Sequence, residues 1–96
     1  MRELKNILYI EDEPDIREIT KLSLGLVGGF SVRECSGGAE ALAILHDELK
    51  PDLIIIDVMM PGLDGPATMS RLKQNPDMAD IPVIFMTAKV FTNELK

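Results

Sequence analysis

The sequence predicts an α/β protein built on an open, doubly wound parallel sheet with helices on both faces. Three observations carry that prediction. Four short apolar runs recur along the chain at the spacing of successive strand–helix units: Ile7-Leu8-Tyr9-Ile10, Phe30 to Val32, Leu53-Ile54-Ile55-Ile56 and Val83-Ile84-Phe85-Met86. The first, third and fourth are continuous and rich in β-branched or aromatic residues, as strands buried on both faces require. The stretches between them show helical apolar spacing bounded by start and stop residues.

Taken in order, the first run is a buried strand. Pro14 follows Glu11-Asp12-Glu13, so a helix opens there with an acidic cap and proline in its first turn. Ile16, Ile19, Leu22 and Leu26 are its expected inward stripe, and Gly28-Gly29 stops it. The second run is shorter and more polar, which suits an edge strand. Ser36 or Gly37 then opens a second helix with Ala41, Leu42, Leu45 and Leu49 as its stripe. Lys50-Pro51 ends it, because the residue before proline avoids helical geometry. After the third strand, Asp64 and Pro66 open a third helix that carries Met69 and Leu72 inward as far as Asn75-Pro76. Pro82 stands where a strand accepts proline, at its start. Thr92 or Asn93 begins a fourth helix, which Lys96 cuts short.

Length and composition agree with this reading. At 96 residues, 46% hydrophobic and 27% charged, the chain has the balance of a globular protein. No Gly/Ser-rich linker divides it, so residues 1–96 read as a single domain. The longest uninterrupted apolar run, Ala41 to Leu45, is far short of the roughly 20 residues that span a bilayer. Ile7 to Ile10 is too short for the core of a signal peptide and meets Glu11-Asp12-Glu13 at once. Cys35, the single cysteine, can make no internal disulfide. These features point to a cytoplasmic protein without a membrane partner. Sixteen acidic residues against ten basic ones, a net charge of −6, speak against direct nucleic-acid binding. They suit a cation or a basic partner.

The chemistry gathers at the strand ends. Ile10 leads to Glu11-Asp12, Ile56 to Asp57, and Met86 to Thr87. In a parallel sheet these positions share the carboxyl edge, where open α/β sheets bind ligands beside a topological switch point. Three carboxylates brought together repel one another, and at least one pKa must rise unless a cation intervenes. Mg²⁺ suits such a site, since it is held by one or two carboxylates completed by waters and phosphate oxygens.

With those residues in view, the sequence resembles the receiver domain of two-component response regulators. The matching features are the acidic pair Glu11-Asp12 after the first strand and Asp57 after the third. With them go Met60-Pro61-Gly62-Leu63-Asp64-Gly65 and, after the fourth strand, Thr87-Ala88-Lys89. The pair is Glu-Asp where the family more often has Asp-Asp. The resemblance implies a flavodoxin-like fold with strand order 2-1-3-4 and a phosphoacceptor signalling domain rather than a conventional enzyme. By the same resemblance, Asp57 accepts a phosphoryl group from a phosphohistidine on a sensor histidine kinase or histidine phosphotransfer protein. Asp12 and Asp57 then ligate Mg²⁺ directly, Glu11 acts mainly through a metal-bound water, and the Met59 backbone carbonyl adds an oxygen. Thr87 and the Ala88 backbone N–H address the phosphoryl oxygens and form the switch, and Lys89 is a candidate substitute for the family's catalytic lysine.

Other residues have plainer readings. His46 is expected on the solvent face of its helix, since the donor histidine belongs to the partner. Cys35 reads as an inert, partly buried thiol, Met60 as packing beneath the site loop, and Asp64-Gly65 as turn and cap chemistry. The family's fold has five strand–helix units, and four are legible here. The fifth carries a lysine and an aromatic residue coupled to the threonine. A longer receiver is therefore expected, against a chain that completes its sheet with a partner such as a second copy, or a degenerate receiver. The early first strand suggests a receiver at the start of its protein. Two rival functions remain: an interaction module that works without phosphorylation, and a hydrolase with Asp57 as nucleophile. The hydrolase is disfavoured because Met59 stands where such enzymes place a second aspartate.

Overall fold

A computed structural model describes residues 4–47 and 50–86 of the chain. The elements run β1 (Asn6–Ile10), α1 (Pro14–Leu26), β2 (Ser31–Cys35), α2 (Gly38–Asp47), β3 (Leu53–Asp57), α3 (Gly65–Lys73) and β4 (Val83–Met86). The four strands form one sheet in the order β2-β1-β3-β4, every pair parallel. The doubly wound fold and its strand order are those the sequence led us to expect. Strand order reverses between β1 and β3, so the crevice at their carboxyl ends is the natural binding position.

Alternation along each strand splits the core into two layers. Leu8, Ile10, Ile54 and Ile56 face α2 and α3, where they pack with Ala41, Leu45 and Leu72. Ile7, Tyr9, Leu53 and Ile55 face the other way, toward Leu24, Phe30 and Val32. All five residues of β3 are buried, which explains its unbroken apolar run.

The helix ends follow local chemistry. Glu13 occupies the N-cap of α1 with Pro14 beside it, but its side chain caps nothing. At α2, Glu40 Oε1 reaches back to the Ser36 backbone N–H at 2.6 Å and its hydroxyl at 3.0 Å. These bonds hold the Glu40 carboxyl below its ordinary pKa. Asp64 caps α3 by accepting from Ala67 N–H at 2.9 Å. Lys73, in the last turn of α3, donates to the carbonyls of Ala79 (2.7 Å) and Ile81 (2.9 Å) and fixes the approach to β4.

Two expectations about helix faces need correcting. In α1 the expected stripe is largely outside: Ile19 is 66% exposed, Leu22 53% and Leu26 82%. The face against the sheet runs instead through half-buried Ile16, Thr20 and Leu24. The helix carries apolar residues on two sides, and periodicity cannot say which one meets the sheet. In α3, Leu72 is buried as expected, but its inward companion is Thr68, and Met69 is only half-buried. Thr68 is tolerated inside because its hydroxyl donates to the Asp64 carbonyl at 2.7 Å. Leu49 and the expected fourth helix at Thr92 or Asn93 lie outside the described residues. Among the described residues, no helix is long and apolar enough to cross a membrane.

Candidate functional site

Glu11 is the residue at which β1 gives way to a loop. Its N–H still donates to the Cys35 carbonyl of β2 at 3.1 Å, which prolongs the strand pairing by one residue. Asp57 closes β3, in register with Met86, and Val58 N–H continues that pairing to the Met86 carbonyl at 2.9 Å. Because β1 and β3 are neighbours, the two strand ends set Glu11, Asp12 and Asp57 together. One carboxylate oxygen from each lies within 4.8 Å of the others. Glu11 and Asp57 are each 1% exposed, while Asp12 is half-buried.

The loops are held to suit. Glu11 Oε2 accepts from Glu13 N–H at 3.0 Å, and Asp57 Oδ1 accepts from Met59 N–H at 3.2 Å. Behind Asp57 the α3 entrance approaches so closely that a Cβ at Gly65 would meet the Asp57 carbonyl at 2.5 Å. Glycine is required there by space, not by backbone conformation. Met60 is buried in the α2/α3 layer beneath this loop, as its packing role predicts. Met59 is 53% exposed at the loop surface.

Burial raises the Asp57 carboxyl to about 6, and Glu11 contributes through its negative charge and a carboxyl–carboxyl hydrogen bond. Without a cation, Asp57 therefore keeps its proton to a higher pH than an ordinary aspartate, and above about pH 6 its charge stands uncompensated beside Glu11. The donor set fits Mg²⁺: hard carboxylate oxygens only, within 4.8 Å of one another, crowded enough to raise the Asp57 pKa, with one member half-exposed to admit waters. An open cleft of about 540 Å³ adjoins the cluster, bordered by Asp12, Glu13, Val58, Met59, Met60 and Pro61 among others. The larger cavity, about 770 Å³, lies at the other end of β1 and β2 beside Asn6, Ser31 and Lys50, and the three carboxylates are not in its walls.

Of the sequence-predicted site residues, the structure brings Glu11, Asp12 and Asp57 together, and Met59 meets them through its N–H at Asp57 Oδ1 rather than through the carbonyl named as a ligand. Thr87, Ala88 and Lys89 lie outside the described residues. His46 is exposed on α2. Cys35 is buried, and its thiol is pushed up to about 12, foremost by burial and then by the Glu40 charge. That keeps it protonated and unreactive. Sequence reasoning missed Arg17, whose Nη1 donates to the Glu11 carbonyl at 2.7 Å. No motif marks it, because its partner is a backbone atom six residues back.

Comparisons with known proteins agree with this geometry. The response regulator receiver domain family matches residues 7–95. The phosphate regulon transcriptional regulatory protein PhoB of Pseudomonas aeruginosa is 40% identical over 85 residues, covering 88% of this chain and 36% of that protein. The chain spans about a third of the length of the curated relatives it matches. Among solved structures, the signal receiver domain of a signal transduction histidine kinase from Syntrophus aciditrophicus is 41% identical with a TM-score of 0.80. That match covers 86% of this chain and 61% of the other. The N-terminal domain of a response regulator receiver protein from Methanoculleus marisnigri JR1 is 36% identical, also at 0.80, covering 96% of this chain and 73% of that one.

Proposed function

Because the chain belongs to the response regulator receiver domain family, we propose that Asp57 is its phosphoacceptor, charged from a phosphohistidine on a sensor kinase or phosphotransfer protein in the cytoplasm. One observation carries the reading: carboxylates from the ends of two adjacent strands converge on a cleft at the switch point of the sheet. Asp12 and Asp57 would hold Mg²⁺ with the Met59 carbonyl, and Glu11 would act mainly through a bound water. When bound, Mg²⁺ supplies positive charge between the carboxylates and an incoming phosphoryl dianion.

The chain's own residues do the rest. The Met59 N–H at Asp57 Oδ1 fixes the carboxylate plane for attack. An Asp57 oxygen lone pair forms the O–P bond, the P–N bond to the donor breaks, and its electron pair leaves with the imidazole nitrogen. Only the ionised carboxylate is a nucleophile, and Asp57 takes that form as pH rises above its raised pKa of about 6. Thr87 and the Ala88 N–H would then address the phosphoryl oxygens and relay the change as a switch, with Lys89 as a supplementary charge. No second carboxyl follows Asp57 at the position of Met59, which favours a phosphoacceptor over a hydrolase of external substrates.

Incubation with acetyl phosphate and Mg²⁺ tests the proposal. Wild type should gain one phosphoryl group by intact mass, EDTA should prevent it, and Asp57→Asn should gain none. Labelling that persists in Asp57→Asn overturns the assignment.

A further inference from the structure

Arg17 occupies a position that the phosphoacceptor chemistry does not itself explain. It lies in the first turn of α1, its N–H bonded to the Glu13 carbonyl at 2.9 Å. Its side chain is only 20% exposed, unusual for an arginine near a helix start, where the macrodipole disfavours a cation. The guanidinium folds back over the β1–α1 loop. Nη1 donates to the Glu11 carbonyl at 2.7 Å, and Nε lies 4.0 Å from Glu34 Oε2 on β2. Lys21, one turn further on, pairs with the same Glu34 at 3.8 Å, so the carboxylate is held between two cations from α1.

We infer that Arg17 is a positioning residue for the acidic cluster, clamping the loop that carries Glu11 and Asp12 to the end of β2. The inference rests on the reading of that cluster as a cation site. Glu11 is held at each of its polar groups: N–H by Cys35, carbonyl by Arg17, and carboxylate by Glu13 N–H. Of these three, only the Arg17 bond ties Glu11 to the body of α1 through a charged side chain. The guanidinium meets the carbonyl oxygen, so it braces the loop without occupying a ligand position. Residues that orient metal ligands in this way commonly change affinity by about 10–100-fold when removed. Sequence spacing does not reveal the clamp, because the contact runs between a side chain and a backbone oxygen.

Calorimetric titration with Mg²⁺ at pH 7.5, together with metal-free melting curves, tests it. Arg17→Met keeps the stem and removes the hydrogen bonds, and should weaken Mg²⁺ binding about tenfold or more at a temperature where the protein is fully folded. Arg17→Lys, which keeps one charged donor, should recover part of that loss. Glu34→Gln loosens the brace without touching Glu11 and should cost a smaller factor. A purely structural role would lower the metal-free Tm of Arg17→Met while leaving the Mg²⁺ affinity within twofold of wild type, and that result overturns the inference alone. A wild-type protein that binds no Mg²⁺ overturns the inference and the cation-site reading together.

Discussion

Asp57 sits in an environment that works against its own charge. Its pKa rises because burial and Glu11 disfavour the second carboxylate. The sign of the consequence follows from linkage. With a folded pKa of about 6 above an unfolded value near 4, the folded state binds more protons between those values. The metal-free protein therefore loses stability as pH rises through that window. The ceiling is on the order of 3 kcal/mol, and solvent relaxation will reduce it. Asp57→Asn should accordingly raise the metal-free Tm at pH 7.5 and have little effect at pH 4, as followed by circular dichroism. An equal effect at both pH values would mean that charge crowding is not the cause. The same crowding readies the site for a cation, since the charge that costs stability without metal is what attracts it.

Helix α2 and helix α3 meet over Gly38, and the element scale is where that contact matters. A Cβ at Gly38 would collide with Thr68 Oγ1 and stand 2.9 Å from the Leu63 carbonyl. Gly38→Ala should therefore destabilise by about 1–3 kcal/mol, although alanine is the better helix former. Thr68→Ala in the same chain should return part of the loss, a coupling readable from urea melts of the four variants. Helix α1 shows the opposite situation. Leu26, at 82% exposure, should tolerate Leu26→Lys within about 0.5 kcal/mol, whereas buried Leu72→Ala should cost about 2–5 kcal/mol. Both leucines lie in apolar helical patterns, so the contrast measures what packs against each face. The sheet edge behaves likewise: Ile84 and Phe85 of β4 are 50% and 38% exposed, although their run reads as a fully buried strand.

At the scale of the whole molecule, the proposed cation couples two strands and two loops that are distant in sequence. A ligand that binds only the folded state stabilises it by mass action, about 2.7 kcal/mol at a concentration one hundred times Kd. Mg²⁺ should thus raise the Tm by several degrees at pH 7.5, and the gain should shrink below pH 6 as protons compete for Asp57. An Mg²⁺ effect that is unchanged from pH 7.5 to pH 5 would place the binding elsewhere.

What the sequence determined by itself was the sheet, its strand order through the family resemblance, and the meeting of Glu11, Asp12 and Asp57. Strand-end position is a local property, and parallel strands necessarily share a carboxyl edge, so carboxylates that follow apolar runs converge without further information. The cap at Asp64 and the buried Met60 were legible for the same local reason. Tertiary structure alone decided which face of α1 is inside, since an amphipathic pattern names a stripe and not its partner. It also decided that Thr68 rather than Met69 joins the core, that Gly38 and Gly65 are needed for close approach, and that Arg17 braces the Glu11 backbone. Each of these depends on atoms brought together across elements, where sequence separation carries no signal and only packing chooses.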